Sequence, residues 1–475
     1  MKRVSACIAA AVIVLTALPG VFAQKKYTIE QFLSPAYPFE LVSAAKSDRI
    51  AWIAYERGLR NVYTATAPDF KPVRLTANLE DDGNDLSTLS ISDDGSVVVF
   101  IQGHMPNREG WVANPSSNPE GAERSVWATR TTGGKPWRVA VANNAVLSPD
   151  GEWVLYTKDG QIYRASAGPQ KGISKGDKER PLFRAFGSNG SPRWSPDSTR
   201  IAFVSNRGDH SFIGIYDVMK RRITYLSPSV DRDTSPAWSP DGKSVAFIRR
   251  PGATFGQQIQ QAANPPGPGQ RAQGRPEEGG QNQPPAVKGL TQATFKGGYT
   301  LSFWAADAAT GHAREFWHNA PDDRSFTFVN SIQWAGDNVI FAAEPEEWIR
   351  YYSVPVAGGK SEPVALTPGE GMAEMIAVSS DGKQLYYSTN AGDIDRRHIW
   401  KVPTSGGTAI QLTSGEGIET YPVTLASGDR IAVLSAGAKQ PQSVALLSSS
   451  GGIPRVIFPS LAGEFPTGAH VVPQN

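Results

Sequence analysis

One stretch of the chain has the spacing of a hydrolase nucleophile. Gly172-Ile173-Ser174-Lys175-Gly176 matches the G-x-S-x-G pattern, in which a serine lies on a sharp turn between a buried strand and a helix. Here Gly168-Pro169-Gln170-Lys171 comes before the pattern and Asp177-Lys178-Glu179-Arg180 follows it, so neither flanking element is recognisable. Because a serine without that support is not held for attack, we predict no catalytic residue in this chain.

Metal and cofactor chemistry also lacks the residues that it needs. The single cysteine is Cys7, and the six histidines show neither an HExxH pattern nor clustered spacing. We therefore predict no metal site and no cofactor. The chain has 47 basic and 45 acidic residues without a basic stripe, so nucleic acid is not an expected partner.

The N-terminus has the pattern of a secretory signal peptide. Lys2 and Arg3 precede an apolar run over residues 4–18, and Val21-Phe22-Ala23 offers a cleavage site. An uncleaved anchor is the alternative, although the run is short for a membrane span. We expect a periplasmic or secreted bacterial protein that does not contact the membrane after cleavage. A large chain without disulfides suits the periplasm.

An internal repeat organises the rest of the chain. Eight times, a turn that contains aspartate precedes an apolar run; the aspartates are Asp48, Asp94, Asp150, Asp197, Asp241, Asp337, Asp381 and Asp429. Successive aspartates are 44 to 56 residues apart, except for the 96 residues from Asp241 to Asp337, where a Pro/Gly/Gln-rich insertion occupies residues 251–298. Four-stranded propeller blades have about this length, roughly 40–45 residues.

Each repeat reads as four antiparallel strands. In residues 191–227 we predict strands at 192–195, 200–205, 212–218 and 222–226, separated by turn residues. The second strands are apolar throughout and need cover on both faces, which neighbouring blades provide. The predicted fold class is therefore all-β, a β-propeller of eight four-stranded blades, with seven as the alternative. A sandwich would alternate more cleanly, and a parallel α/β fold would need helices.

Two sets of residues follow from this fold. Trp194, Trp238 and Trp334 recur at one place in the repeat, so we predict that they pack between blades rather than stack on a ligand. Acidic residues recur where one repeat passes into the next; they are Asp81, Asp82, Asp231, Asp233, Glu370, Glu374, Glu416 and Glu419. We predict an acidic channel rim that attracts cationic groups such as peptide amino termini. Solvated carboxylates without a ligand are the alternative.

The repeats resemble those of a known family. Pro192-Arg193-Trp194-Ser195-Pro196-Asp197 and Pro236-Ala237-Trp238-Ser239-Pro240-Asp241-Gly242, followed by Ile-Ala-Phe or Val-Ala-Phe, are similar to the repeats of TolB-type propellers. Similar repeats build the N-terminal propeller of the prolyl oligopeptidase family of serine peptidases, which includes dipeptidyl-peptidase-IV-like enzymes. Residues 27–34 resemble the opening segment of bacterial members. The resemblance covers residues 27–460, without TolB's preceding α/β domain and without an α/β-hydrolase domain.

The resemblance also implies a substrate site. Dipeptidyl-peptidase-IV-like enzymes hold the substrate amino group with paired glutamates of the propeller, and Glu346-Glu347 is the nearest pair in type. The surrounding motif differs and the pair falls in another repeat, so an exposed loop between strands is the alternative.

We therefore expect the non-catalytic propeller of an exported prolyl-oligopeptidase-like serine peptidase, which caps the hydrolase and restricts access to short peptides. The alternative is a stand-alone TolB-like periplasmic propeller that acts as a protein-interaction scaffold. Expected partners are peptides and either a hydrolase domain or a periplasmic protein. The predicted divisions are a signal peptide at 1–23, a lead-in segment at 24–40, a propeller at 41–460 with a flexible insertion at 251–298, and a linker toward a hydrolase domain at 461–475.

Overall fold

The computed structural model describes residues 27–472, except 170–178, 253–298, 322, 324, 360, 361 and 462. The signal peptide, the G-x-S-x-G pattern and nearly all of the insertion therefore lie outside the described residues. A short helix, α1 (Ile29–Phe32), begins the described chain and is capped by Thr28. A 3-10 turn (Thr467–Ala469) lies near its end. No helix among the described residues is long and apolar enough to cross a membrane.

All other regular elements are strands, which form eight consecutive units. The first four units are β1 (Tyr37–Ser43), β2 (Arg49–Glu56), β3 (Leu59–Thr66) and β4 (Val73–Arg74); β5 (Leu86–Ile91), β6 (Val97–Gln102), β7 (Ser125–Arg130) and β8 (Trp137–Val141); β9 (Val146–Leu147), β10 (Trp153–Lys158) and β11 (Gln161–Ser166); and β12 (Ser188–Trp194), β13 (Arg200–Asn206), β14 (Ser211–Asp217) and β15 (Arg222–Tyr225).

The remaining four units are β16 (Arg232–Trp238), β17 (Ser244–Arg250), β18 (Ser302–Asp307) and β19 (Ala313–His318); β20 (Gln333–Ala335), β21 (Asn338–Ala343), β22 (Arg350–Pro355) and β23 (Val364–Ala365); β24 (Ala373–Val378), β25 (Gln384–Thr389), β26 (His398–Pro403) and β27 (Ile410–Gln411); and β28 (Ile418–Thr424), β29 (Arg430–Gly437), β30 (Gln440–Ser448) and β31 (Arg455–Phe458). The fold is all-β, and its sheets are mostly four-stranded and antiparallel.

Strand order within each unit follows the chain. Each strand pairs with the next one, and a single parallel pair, Ser211 with Arg232, joins the fourth unit to the fifth. First strands contact the first strands of neighbouring units, as β1 does with β5 and β28. The first strands therefore surround a central axis, and the later strands of each unit lie progressively farther from it.

Apolar clusters hold neighbouring units together. Eight clusters of described residues each join one unit to the next, and one of them joins the last unit to the first. The second strands supply side chains to the clusters on both of their faces. Ile50 to Ala54 of β2, for example, are fully buried, with Trp52 facing the last unit and Ile53 the second. This two-sided burial explains why the second strands lack polar alternation.

In the part of the chain that the structure describes, the first and last units are joined by side-chain contacts and not by a shared strand. Phe458 of β31 packs against Trp52 and Tyr63 of the first unit, with ring centroids 5.3 and 4.8 Å apart. Gln442 Nε2 donates to the carbonyl of Pro38 at 2.6 Å, and Ser427 N donates to Asp48 Oδ1 at 2.9 Å. Among the described residues, no strand of the last unit forms a sheet with a strand of the first unit.

The Ser-Pro-Asp-Gly signature forms the turn between the first and second strands. Ser239 Oγ donates to Asp241 Oδ1 at 2.7 Å and accepts the N–H of Ser244 at 2.9 Å, while Asp241 accepts the N–H of Lys243. The same bonds recur in the turns that begin with Ser92, Ser195 and Ser379. The signature is thus a local hydrogen-bonded turn, and its aspartates stabilise that turn.

The predicted strands agree well with the observed ones. In the fourth unit, the second to fourth strands begin and end within one residue of prediction, whereas β12 starts at Ser188, four residues earlier than predicted. The first strand of the chain begins at Tyr37, inside the predicted lead-in segment 24–40. The predicted packing of the tryptophans between units is confirmed: Trp194 Nε1 donates to the carbonyl of Val146 in the third unit, and Trp238 Nε1 to that of Arg193 in the fourth.

Candidate functional site

The two ends of the strands form two different faces. We call the loop face the end that carries the loops between second and third strands and the connections between units. It comprises described residues within 57–58, 75–85, 103–124, 142–145, 159–160, 167–187, 207–210, 226–231, 251–301, 319–332, 344–349, 366–372, 390–397, 412–417 and 438–439. The turn face is the opposite end, with the turns between first and second and between third and fourth strands. Every residue of the predicted acidic rim lies on the loop face or at the adjoining start of a first strand.

The acidic rim begins with a network between the first and second units. Asp81 Oδ1 lies 2.7 Å from Arg60 Nη1, and Asp85 lies 3.0 Å from His104 Nδ1. The backbone N–H of Gly83, and then Arg60, lower the pKa of Asp81 below its ordinary value. Asp82 accepts hydrogen bonds from the N–H and the side-chain amide of the neighbouring Asn84. The exposed carboxylate of Asp81 therefore already has a cation beside it.

Asp233 is the most deeply buried member of the rim. It lies directly opposite Arg249 in the β16–β17 register, and the guanidinium donates to both carboxylate oxygens at 2.7 and 2.8 Å. Burial raises the pKa of Asp233 to about 6, although Arg249 opposes that shift. With no exposed surface, Asp233 is not available to a ligand in this conformation. Asp231 accepts from Ser229 Oγ and the N–H of Gly252.

The remaining rim residues lie in the seventh and eighth units. Glu374 is 3.0 Å from Arg397 Nε. Glu419 is buried with His398, and its carboxylate is 3.1 Å from His398 Nδ1. Glu370 and Glu416 are exposed on connections of the loop face. Four of the eight predicted rim residues thus contact a cationic or imidazole side chain of the chain itself. Attraction of a cationic ligand stays a prediction, and it now concerns the exposed rim residues.

The two glutamates suggested by family resemblance lie on the loop of the sixth unit. Both are exposed, and Glu346 Oε2 is 3.1 Å from Arg350 Nη2. Their role in binding a substrate amine stays a prediction. The described residues include no group of three or more His, Cys, Asp or Glu side chains that could hold a metal ion.

The basic partners were not found by sequence reasoning. Arg60 and His398 lie at the start of third strands, and Arg397 directly precedes one. Arg249 lies near the end of a second strand, so all four are at or beside the loop face. Basic residues at those strand ends could have been recognised in the sequence as possible partners of the acidic residues. The pairing itself depends on register and on the packing of neighbouring units.

Bulges in the first strands shape the channel wall. In six units, two residues of the first strand oppose one residue of the second, and the first of the two has φ between +47° and +57°; these residues are Glu40, Thr88, Ser191, Ser235, Met375 and Tyr421. Glycine is the usual residue in that conformation, which costs other residues about 1–2 kcal/mol. The opposing residue is a large buried side chain, such as Trp52, Phe203 or Tyr387. The six bulges therefore lie at one level around the axis.

Large exposed apolar side chains are concentrated on the loop face. Seven of them are 63% to 78% exposed: Leu79, Met105, Trp111, Phe186, Val230, Phe328 and Ile394. On the turn face, the corresponding described residues are Met219 and Ile453. Such a concentration is typical of an interaction surface.

Both ends of the described chain lie at the loop face. Phe32 of α1 contacts His470 with ring centroids 5.3 Å apart, and Phe465 contacts the same histidine. Arg57 of the first loop is 2.8 Å from Glu464. The lead-in segment and the segment after β31 therefore pack together at this face.

Comparison with known proteins agrees with this architecture. Residues 304–441 match the family model of the dipeptidyl peptidase IV (DPP IV) N-terminal region. An uncharacterized protein of Agrobacterium fabrum is 24% identical over 163 residues, which are 33% of this chain and 50% of that protein.

Two solved structures have a similar fold. Dipeptidyl peptidase 4 of Porphyromonas gingivalis superposes with a TM-score of 0.55 at 12% identity, covering 91% of this chain and 61% of that one. A prolyl endopeptidase superposes with a TM-score of 0.51 at 13% identity, covering 94% and 59%. The chain thus spans half to three-fifths of the length of these relatives. Part of the chain therefore resembles the dipeptidyl peptidase IV N-terminal region, and the whole has the β-propeller fold found in prolyl oligopeptidase family peptidases.

Proposed function

We propose that this chain is the non-catalytic propeller of an exported prolyl-oligopeptidase-like serine peptidase. It covers an α/β-hydrolase domain with its loop face and admits only short or unfolded peptides. The observation that carries the proposal is the coincidence of three features on one face. The seven exposed apolar side chains, the start of the described chain and its end all lie there.

The exposed apolar residues have the properties of a docking surface. Trp111 is 75% exposed and Phe328 is 78% exposed, on loops of the second unit and between the fifth and sixth units. Burial of such side chains stabilises an interface by about 1.5–3 kcal/mol each. A domain connected after residue 472 would start at the same face, because Glu464 pairs with Arg57 of a loop-face loop.

Docking is tested with the protein encoded by the whole reading frame. We expect a hydrolase domain downstream of codon 475, with a serine nucleophile followed by Asp and His, and we expect it to bind separately produced residues 24–475. Trp111→Ser with Phe328→Ser should weaken that binding at least tenfold in calorimetry. Met219→Ser with Ile453→Ser, on the turn face, is the matched control and should leave the affinity unchanged.

The opposite results would contradict docking through the loop face. Equal loss of affinity in both double variants would mean that the loop face has no special role. A stop codon after Asn475, with a stable secreted product, would instead favour the interaction scaffold.

Restriction of substrate size is tested by activity. Residues 24–475 alone should hydrolyse no peptide. The complete protein should cleave a ten-residue peptide but leave an unfolded chain of about 100 residues intact, whereas the isolated hydrolase domain should cleave both. Cleavage of the long chain by the complete protein would remove the restricting role.

Export and blade number are part of the proposal. Residues 1–23 should be absent from the mature protein, which N-terminal sequencing of a periplasmic fraction would establish; an intact N-terminus in the cytoplasm would contradict export. Eight blades are supported by the eight apolar clusters, each between consecutive units. An experimental structure with seven blades would correct that number.

A further inference from the structure

Two of the six left-handed bulge residues form hydrogen bonds that stabilise the fold. Glu40 Oε2 accepts the N–H of Leu89 at 2.8 Å, and Ser235 Oγ accepts the N–H of Ile332 at 3.1 Å. In each case the N–H belongs to the first strand, or its start, in the next unit. These bonds join neighbouring units and account for a non-glycine residue at both positions.

Three others form no bond of this kind among the described residues. Thr88, Ser191 and Tyr421 are exposed, and in the described part of the chain no hydrogen bond is formed by their hydroxyls. After Ser191, the equivalent position in the next unit is Pro236, which has no N–H to offer. Glycine at Thr88 and Ser191 would relieve backbone strain without the loss of a hydrogen bond. Tyr421 is 46% exposed, so phenylalanine there would keep the packing of the ring and remove only the hydroxyl.

The three residues occupy equivalent backbone positions in their units. Their bulges oppose Phe100, Phe203 and Val433, which occupy the same place in the second strands of the second, fourth and eighth units. The first strands surround the axis, so the exposed side chains of these bulges face the channel. Strain that packing does not explain is characteristic of functional positions.

The charges near these bulges are already compensated. The carboxylate of the bulge residue Glu40 accepts a backbone N–H and interacts electrostatically with the Arg124 guanidinium, and Glu374, which precedes Met375, pairs with Arg397. Hydroxyls both donate and accept hydrogen bonds, so they suit the alternating N–H and C=O groups of a peptide main chain. The wall therefore favours neutral, sequence-independent contacts over charge attraction.

We propose that Thr88, Ser191 and Tyr421 form a hydroxyl ring that binds the main chain of an extended peptide in the channel. The peptide as ligand class rests on the proposed function. The positions of the three residues rest on the bulges alone.

The test uses residues 24–475 and a dye-labelled, uncharged ten-residue peptide without regular structure. We expect the wild-type chain to bind this peptide in fluorescence anisotropy. The triple variant Thr88→Gly/Ser191→Gly/Tyr421→Phe, which removes all three hydroxyls and keeps the aromatic ring, should bind at least tenfold more weakly, while its melting temperature is unchanged or higher. Loss of binding in a variant of undiminished stability separates ligand contact from a structural role.

Two further variants sharpen the result. Arg221→Gly replaces another left-handed residue (φ 53°) on the turn face, and it should leave peptide binding unchanged. Ser235→Gly should lower the melting temperature, because it removes the bond to Ile332.

Two outcomes would overturn the ring. They are an unmeasurable affinity of the wild-type chain for the peptide, and a triple variant that binds it as tightly as the wild type. Hydrolase docking is measured separately and should be unaffected in the triple variant. Failure of docking with intact peptide binding would refute the proposed function and leave the ring standing.

Discussion

Asp233 illustrates how far a carboxylate's surroundings decide its role. It recurs at the place in the repeat that suggested a charged rim, yet it is fully buried and held by both arms of Arg249. Arg249 itself lies 4.5 Å from the ring of Trp304 and donates to the carbonyl of Ser227. The pair therefore acts within the fold, where burial and ion pairing have opposite effects on ionisation.

The pH dependence of stability measures which effect is larger. Burial raises the pKa of Asp233 from 3.8 to about 6, so between these values the folded state binds a proton that the unfolded state has lost. The free energy of unfolding of the wild type, relative to Asp233→Asn, should therefore fall by about 2 kcal/mol from pH 4 to pH 6.5. Urea unfolding at several pH values checks this. A relative gain in stability with rising pH would mean that Arg249 outweighs burial.

Trp194 shows the same dependence on neighbours for an apolar residue. It packs with Leu155 and Phe203 and donates to a carbonyl of the preceding unit. Trp194→Ala should lower the free energy of unfolding by about 3–5 kcal/mol, because it leaves a cavity between two units. Trp111→Ala is the matched control, since Trp111 is exposed, and should change stability by less than about 0.5 kcal/mol. Equal effects in chemical denaturation would contradict the packing between units.

At the scale of elements, the turn between first and second strands has the strongest sequence signal. Its serine and aspartate bond each other and the backbone within five residues, so local sequence determines the turn. The Gly-Gly pairs between third and fourth strands are equally local, as the positive φ values of Gly406 and Gly407 confirm.

The turn serine should contribute measurably to stability. Ser239→Ala removes a donor to Asp241 and leaves the N–H of Ser244 without its acceptor, which should cost about 1–2 kcal/mol. Ser90→Ala is a suitable control, because Ser90 Oγ is buried and has no hydrogen-bond partner among the described residues, so its removal should be neutral or stabilising. The two free energies of unfolding, measured by urea titration, should differ in this direction. Equal values would show that the turn bonds add nothing.

Other elements could not be read from the sequence. The bulges place residues such as Thr88 and Met375 in a left-handed conformation that no local propensity favours. The ion pair of Glu374 with Arg397 spans 23 residues and depends on how two strands meet on the loop face. The acidic residues were therefore located correctly along the chain, while their compensation by basic residues was missed.

For the whole molecule, repeat length and the apolar second strands were sufficient to predict an all-β propeller. The same pattern did not predict the third unit, in which the described residues form three strands. It also gave no information on which residues would be exposed, since the concentration of Trp111, Phe186 and Phe328 on one face appears only once the strand ends are known.

The junction between the last and first units has a mechanical consequence. At every other junction the backbone itself runs from one unit to the next, whereas in the described part of the chain the first and last units are held together by side chains such as Phe458 and by bonds such as that of Gln442 to Pro38. We therefore expect this junction to open first, so that unfolding begins between the last and first units. Phe458→Ala should speed amide hydrogen exchange in β1, β2 and β30, while Phe303→Ala, at a covalently continuous junction, should not. If hydrogen exchange in these strands were equally faster in both variants, the junction between the last and first units would be no less stable than the others.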